Sequence, residues 1–390
     1  MPYVDVGRVE RMQDLTKQLR KAARLILVAG ITTSIALIYG CTASGEPRVR
    51  FGTYATPTAG TRYLGIDNLG NHSFGNSLAE KGGIVYTCRG GHIDITHVRI
   101  AADNVRYLYN KIQRCLMNND SEFTFKFNVE PSTYTAKLQY PPTWKFLPRK
   151  DKEAIADEIA LELSRYCTYT MTTWHEVLTW FGFRTVAFWS EEPSAFSWED
   201  VYSNLVGVRL GAEALQDEKH NFNEAMTILL KKELENLGIQ SRDTARQAAE
   251  KMKGEWFTGF VQVDMKERNM DIGLDDGFVT PTLVPGICDG AQPQSYPIPT
   301  LDKFNKYGFT MDLTVEPKEF EKGKILRLIY PNGGEKIIRP SEQLPIVMDF
   351  IKKEALEKGY DIMPPAVYVS DLTVQFPGVK AQNQSLYHQP

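Results

Sequence analysis

Residues 86–103 have the sequence Tyr-Thr-Cys-Arg-Gly-Gly-His-Ile-Asp-Ile-Thr-His-Val-Arg-Ile-Ala-Ala-Asp. The apolar run that ends at Tyr86 predicts a strand, and the Gly-Gly pair after it predicts a turn. Asp94 can act as an N-cap, because its carboxylate can accept hydrogen bonds from the free N–H groups of a helix that begins at Ile95. Apolar side chains then recur at helical spacing over residues 98–116. The segment therefore predicts a strand, a turn and a long helix.

The same segment concentrates residues that bind metals or transfer protons. His92, Asp94, His97, Arg99 and Asp103 lie within about three turns of helix. His97 falls on the first helical turn, where the helix dipole disfavours a protonated imidazole and so favours a zinc or iron ligand. In the alternative interpretation Asp94 only caps the helix, Arg99 and Asp103 form an ordinary i,i+4 ion pair, and the histidines are structural.

A second candidate motif, Trp174-His175-Glu176, lies inside a long predicted helix. In zinc peptidases of the His-Glu-x-x-His type the histidine binds the metal and the neighbouring glutamate is the base. Here Thr179 stands four positions after His175, so the motif is incomplete and further ligands must come from elsewhere. The alternative is a buried histidine in an aromatic cluster.

Together the two segments predict one metal-assisted site that holds zinc or another divalent metal. The predicted metal ligands are His97, His175 and His92. The residues predicted to supply a general base, a further ligand or the stabilisation of an oxyanion are Glu176, Asp94 and Arg99. Three further polar residues are predicted to support the site structurally, namely Asp103, Asp200 and Asn204.

The N-terminus predicts export. Basic residues at positions 17–24 precede an apolar run at 25–39, which ends at Gly40-Cys41. The run is shorter than the roughly 20 residues of a membrane-spanning helix, so a signal peptide over residues 1–40 is predicted. Residues 38–41 resemble the lipobox of bacterial lipoproteins, which implies cleavage before Cys41 and lipidation of its thiol. An uncleaved anchor helix is the alternative, and Met1 and Met12 both remain candidate start residues.

The remaining cysteines leave several possibilities open. Cys88, Cys115, Cys167 and Cys288 allow three pairings in an oxidising compartment, and free buried thiols are equally compatible with the sequence. A cysteine hydrolase is a further alternative because Cys88 precedes His92. In such enzymes a helix N-terminus lowers the pKa of the thiol, whereas Cys88 ends a predicted strand.

Composition and periodicity predict an α+β globular protein. The hydrophobic content of 42% supplies a packed core, and a net charge of -3 without a basic block argues against a nucleic-acid partner. We predict a tether at 41–62, a helix-rich domain with the site at 63–255, and a mixed α/β part at 256–390 packed on the same domain. Predicted helices lie at 149–182, 197–215, 221–237, 241–253 and 344–358, and the length of the first leaves a break near 167–170 open. Residues 197–200 resemble a capping box for the second helix, and Gly207 and Gly211, four residues apart on it, would let another backbone approach closely. Predicted strands form a hairpin at 122–138 and lie at 310–315, 325–330 and 367–374.

Four sequence features together resemble a family of uncharacterised proteobacterial lipoproteins, a domain of unknown function. They are the lipobox, Tyr86-Thr87-x-Arg89-Gly90-Gly91-x-Ile93-Asp94-x-x-His97-x-Arg99, Trp174-His175-Glu176 and Trp198-x-Asp200-x-Tyr202-Ser203-Asn204. The resemblance covers most of residues 50–290 and implies domain extent and export, but no activity.

We therefore expect an exported lipoprotein with a metal-assisted, hydrolase-like site that acts at the cell envelope. The lipid on Cys41 would hold it on the periplasmic side of a membrane. Thr42 follows where an aspartate would favour inner-membrane retention, which indicates the outer membrane. Peptides, peptidoglycan and lipid-derived esters are all compatible substrates. The alternative is a non-catalytic envelope protein that binds a partner or scaffolds a complex.

Overall fold

The computed structural model describes residues 45–50, 52–58, 60–75, 79–184, 191–259 and 263–362. The predicted signal peptide, Cys41 and the predicted strand at 367–374 lie outside this range. The fold is α+β, as predicted, with short antiparallel strand pairs around a helical centre.

The helices are α1 (Ile95–Asn118), α2 (Arg149–Trp180), α3 (Asp200–Leu215), α4 (Phe222–Asn236), α5 (Arg242–Lys251), α6 (Asp302–Lys306), α7 (Lys322–Ile329) and α8 (Pro340–Glu357). The strands are β1 (Ile84–Thr87), β2 (Gly91–Asp94), β3 (Glu122–Phe125), β4 (Thr133–Gln139), β5 (Phe257–Thr258), β6 (Asp264–Met265), β7 (Phe278–Val279), β8 (Tyr296–Pro297) and β9 (Thr310–Glu316). Antiparallel pairing joins β1 to β2, and β3, β4 and β9 form one sheet in that order.

Helix α1 is the centre of the fold, and it begins where the sequence predicts. The Asp94 side chain accepts a hydrogen bond from the backbone N–H of Thr96, and the helix ends at Asn119, whose φ of 58° is left-handed. The β1–β2 hairpin precedes it directly, with Gly91 at a φ of 62° as the first residue of β2, directly after the turn. Both ends of α1 are thus set by local sequence.

Helix α3 packs closely against α1 through two glycines four residues apart. A Cβ on Gly207 would lie 2.2 Å from the carbonyl oxygen of Val98, and one on Gly211 would lie 2.7 Å from Cα of Ala102. This confirms the prediction that small residues here admit another backbone. The contact places the N-terminus of α3 beside the N-terminus of α1.

Two local predictions are wrong, and the break that was left open in the first long helix does not occur. Helix α2 runs without a break through residues 167–170, because the threonines there are buried against the core and packing outweighs their low helix propensity. Residues 325–330 belong to α7 and not to a strand, since a short apolar run fits either period. Ser197 does not cap α3, whose N-cap residue Glu199 makes no side-chain cap bond. The predicted hairpin, the strand at 310–315 and the helices at 221–237, 241–253 and 344–358 are confirmed, and the last helix begins four residues before its predicted start, at Pro340.

The core and the cysteines connect distant parts of the chain. One large apolar cluster includes residues from Leu64 to Ala355, on both sides of the boundary predicted near residue 255. Cys88 and Cys288 form a disulfide across 200 positions, and Cys115 and Cys167 are free and buried. The disulfide removes Cys88 as a candidate nucleophile. Among the described residues, no helix is both long and apolar enough to cross a membrane.

Candidate metal centre and its cavity

Asp94 serves both the helix and the candidate site. Its Oδ1 accepts the N-cap hydrogen bond from Thr96 at 2.7 Å, and its Oδ2 accepts one from the backbone N–H of Thr53 at 2.9 Å. The same Oδ2 lies 2.9 Å from Nδ1 of His97, one helical turn further on. Local sequence alone therefore brings these two side chains together.

Asp200 completes a group of three. It is the first residue of α3, and its Oδ1 lies 3.1 Å from Nδ1 of His97. One ligand atom from each of Asp94, His97 and Asp200 lies within 4.8 Å of the others, so these three residues could hold a metal ion. We call them the ligand group. Both aspartates are buried, and the imidazole is partly exposed.

Unpartnered buried oxygens around this group fit a cation. Glu199 Oε2 and Asn204 Oδ1 are buried and accept no hydrogen bond from the part of the chain that the structure describes, and Asp200 Oδ1 faces the imidazole of His97 at 3.1 Å. A buried polar atom without a partner costs about 1–3 kcal/mol, more if it is charged. A divalent ion would replace the proton of His97 as the positive charge that faces this Asp200 oxygen.

The pKa values of His97, Asp200 and Glu199 are all raised, so these groups retain protons that a metal could replace. Burial lowers the pKa of His97, but the charges of Asp200 and Asp94 outweigh burial and raise that pKa to about 10. Burial also raises the pKa of Asp200 to about 7, although His97 opposes it. Burial raises the pKa of Glu199 well above its usual value. The site therefore holds protons at neutral pH, and a metal would displace them.

A cavity of about 300 Å³ opens beside the group. Its walls come from α1, α2, the β3–β4 loop, the start of α3 and residues 47–50 and 52–54 of the segment predicted as a tether. Polar side chains that line it include His97, His175, Glu176, Asp200 and Asn204. Both sequence motifs therefore contribute to one cavity.

His175 is not part of the ligand group. Its Nδ1 lies 2.6 Å from Oε1 of Glu130, and the rings of Phe127 and Phe183 pack edge-on against the imidazole. The structure thus brings His97 and His175 to the same cavity but gives them different partners.

Glu176 is buried in the cavity wall and has a structural contact. Its Oε2 accepts a hydrogen bond of 2.8 Å from the backbone N–H of Phe196, whose φ of 53° is rare for a residue with a side chain. The carboxylate therefore helps to hold the strained turn that leads into Asp200. This contact occupies one of the two oxygens on which the predicted base role depends.

The structure does not bring His92 and Arg99 to the candidate site. The Nε2–H of His92 donates to the carbonyl oxygen of Ala245, and its Nδ1 accepts from the indole N–H of Trp198, so no lone pair is left for a metal. Burial lowers the pKa of His92 to about 4, which keeps the ring neutral. Arg99 is buried, and its guanidinium donates to the carbonyl oxygen of Leu69. This position removes it from substrate contact.

Asp103 supports the site through a different partner from the one predicted. Its carboxylate lies 2.6 Å from Nη1 of Arg50 and 2.9 Å from Nε2 of His72, while Arg99 pairs with Glu80 at 3.3 Å. These contacts fix the segment around Arg50 on α1, and that segment forms one wall of the cavity. The predicted Arg99–Asp103 pair is therefore replaced by long-range pairs.

The sequence did not predict the places of three residues at the candidate site. Asp200 was expected to give structural support and instead belongs to the ligand group, while Asn204, in the same expected role, lines the cavity. Glu130 was not singled out, since a single acid in a hairpin turn carries no chemical signal. The sequence signal for Asp200 is its position at the start of α3, because Gly207 and Gly211 on that helix allow it to pack closely against the helix that carries His97.

Comparison with known proteins gives one match. A family model described as "Protein of unknown function (DUF4056)" matches residues 61–268, more than half of the chain. The matched range contains the three residues of the ligand group and both residues of the His175–Glu130 pair. No curated protein and no solved structure matches.

Proposed function

We propose that this chain, which belongs to the DUF4056 family of proteins of unknown function, is an exported metal-dependent hydrolase. The observation that carries the proposal is the group formed by Asp94, His97 and Asp200 at the edge of a cavity. Three protein ligands and an open fourth position are the arrangement of catalytic zinc sites.

Zinc is the ion that we propose. Its bonds of about 2.0–2.1 Å place neighbouring ligand atoms of a tetrahedral site roughly 3.3 Å apart. The Nδ1 atom of His97 lies 2.9 Å and 3.1 Å from the two aspartate oxygens, which is close to that spacing. Calcium prefers six to eight oxygen ligands, and an imidazole nitrogen suits zinc better. When bound, zinc would polarise a carbonyl oxygen and lower the pKa of a water that it binds.

The residues of the chain would bind and orient the substrate. The cavity volume of about 300 Å³ accommodates one amino-acid side chain or a short acyl group. Asn204 has a free buried carbonyl oxygen that could accept a hydrogen bond from an amide or hydroxyl of the substrate. The walls carry both carboxylates and the guanidinium groups of Arg48 and Arg50, so the charge of the lining alone does not select a substrate, and we propose an ester or an amide as the substrate class.

Two observations support export. A basic and apolar segment ends at Gly40-Cys41. The disulfide between Cys88 and Cys288 is of the kind that persists in oxidising compartments. We therefore propose that the protein is anchored through Cys41 on the periplasmic side of the outer membrane and acts on an envelope substrate.

Metal content tests the proposal. The full-length chain without a histidine tag is purified beside His97→Ala, Asp200→Asn and the control His175→Asn, and metals are measured by mass spectrometry after circular dichroism confirms folding. We expect near-stoichiometric zinc in the parent and the control, and its loss in the two ligand variants.

Three outcomes would contradict this expectation. Folded parent protein without metal would overturn the hydrolase proposal and favour a non-catalytic envelope binding protein. Manganese or iron in place of zinc would overturn the choice of ion. Equal metal in all four proteins would overturn the ligand assignment.

A further inference from the structure

A second polar pair lies in the same cavity, where α2 meets the β3–β4 loop. The side chain of Glu130 is fully buried, whereas 17% of the His175 side chain is exposed. We propose that this pair is the proton-transfer site of the cavity, in which Glu130 positions the ring and Nε2 of His175 exchanges a proton with the bound molecule. The inference rests on the proposed hydrolase function, and it gives His175 a role other than metal binding.

The geometry fixes the ring of His175. Its Nδ1 faces Oε1 of Glu130 at 2.6 Å, and the rings of Phe127 and Phe183 pack edge-on at centroid distances of 5.2 Å and 5.7 Å. Glu130 is held in turn by the hydroxyl of Tyr134, which donates to Oε2 at 3.4 Å. A carboxylate on Nδ1 sets the tautomer and orientation of an imidazole.

Nε2 of His175 is therefore the atom available to a ligand. It is the other nitrogen of a ring that is 17% exposed, and the hydrogen bond that the described residues give this ring is the one between Nδ1 and Glu130. His175 lines the cavity together with His97 and Asp200. A molecule bound in this cavity therefore occupies a space that both the imidazole and the ligand group border.

The charges around His175 favour a ring that carries a proton. Burial lowers its pKa, but the hydrogen bond and charge of Glu130, with smaller effects of Glu176 and Glu191, raise it above the usual value. The charged side chains on the other walls of the cavity are Arg48, Arg50, His97 and Asp200. An imidazolium that is populated near neutral pH can donate a proton and be restored by the next transfer.

The proton transfer balances in a hydrolysis without another reactant. The oxygen of water forms a bond to the acyl carbon, and the bond from that carbon to the leaving oxygen or nitrogen breaks. Nε2–H of His175 gives its proton to the leaving atom. The proton that the attacking water loses returns to Nε2, so the ring ends as it began.

A labelling experiment tests the pair without a known substrate. Diethyl pyrocarbonate modifies unprotonated imidazole nitrogens, so the pH dependence of modification at each histidine peptide, followed by mass spectrometry, reports protonation of that ring. The full-length parent is compared with Glu130→Gln, and His220, which pairs with Asp217 far along the chain, is the internal reference. We expect His175 to react, and its midpoint to fall by about one to three pH units in Glu130→Gln, the usual effect of an opposite charge. The midpoint of His220 should not change.

Controls keep the test decisive. Glu319→Gln removes a buried carboxylate that accepts a hydrogen bond from Ser132 in the same loop, and it should shift the His175 midpoint much less. If Glu130→Gln does not fold, nitrogen-15 NMR of the parent takes its place, with the His175 signals assigned by their absence in His175→Asn. Protonated Nδ1 and exchanging Nε2 are expected.

The outcomes separate this inference from the proposed function. A His175 that stays unreactive in folded protein, an unchanged midpoint in Glu130→Gln or an unprotonated Nδ1 would overturn the pair even if zinc is bound. Absence of metal from the parent would overturn the hydrolase proposal and, with it, the catalytic role of the pair. Zinc in His175→Asn together with the shifted midpoint in Glu130→Gln would support both.

Discussion

Replacing Gly207 by alanine tests the helix contact on which the ligand group depends. The added Cβ would lie 2.2 Å from the carbonyl oxygen of Val98 and 2.8 Å from Cβ of Ala101. A backbone oxygen in a helix cannot move away alone, so α1 and α3 must separate by about 0.8 Å to restore the closest contact that real Cβ atoms make. Overpacking of this kind costs about 1–3 kcal/mol, occasionally more.

Helix propensity opposes this cost and defines the control. Alanine in place of glycine inside a helix gains about 0.8–1 kcal/mol, so the net loss of stability for Gly207→Ala is up to about 2 kcal/mol. Gly323 in α7 has only Arg327 Nη1 near its added Cβ, at 3.5 Å. Gly323→Ala should therefore leave the free energy of unfolding unchanged or raise it.

The assay is urea unfolding followed by circular dichroism, with metal content measured on the same samples. Displacement of α3 moves Asp200 relative to His97, so Gly207→Ala should lose metal as well as stability, whereas Gly323→Ala should lose neither. If Gly207→Ala is as stable as Gly323→Ala, the close approach of α1 and α3 is wrong. If it is unstable but keeps its metal, the ligand group does not depend on that contact.

Three further predictions concern other parts of the chain. Burial, with the charge of Asp361, raises the pKa of Glu267 from 4.5 to about 8, so the folded state holds a proton that the unfolded chain releases over that pH range. Stability therefore falls as pH rises from about 5 to 9, and Glu267→Gln should match the parent in urea unfolding at pH 5 but exceed it at pH 9. Cys88→Ser opens a loop of 200 residues and should cost about 2–5 kcal/mol in the same assay, and a parent that is equally stable after reduction would contradict it. Cys41→Ser should move the protein from the membrane fraction to the soluble fraction, and unchanged fractionation would count against a lipid anchor.

The parts of the site that sequence predicts are the parts set by local structure. Asp94 and His97 are three residues apart on one helical start, so their contact follows from capping and helix geometry. Asp200 lies more than a hundred residues from His97 in the sequence, and Glu130 lies 45 residues from His175. Only the packing of whole elements brings these pairs together. The partners of Asp103 could not be predicted for the same reason, because Arg50 and His72 are distant from it in the sequence.

Asp94 shows why the start of α1 is both the centre of the fold and the edge of the site. One oxygen satisfies the first turn of the helix, and the other binds the backbone of Thr53 and faces His97. The capping bond fixes the carboxylate, so the second oxygen has one orientation before any metal arrives. Because the backbone of Thr53 shares that oxygen, the segment that forms one cavity wall is held by the same group. The ligand geometry is therefore a consequence of folding, and it requires little rearrangement to accept an ion.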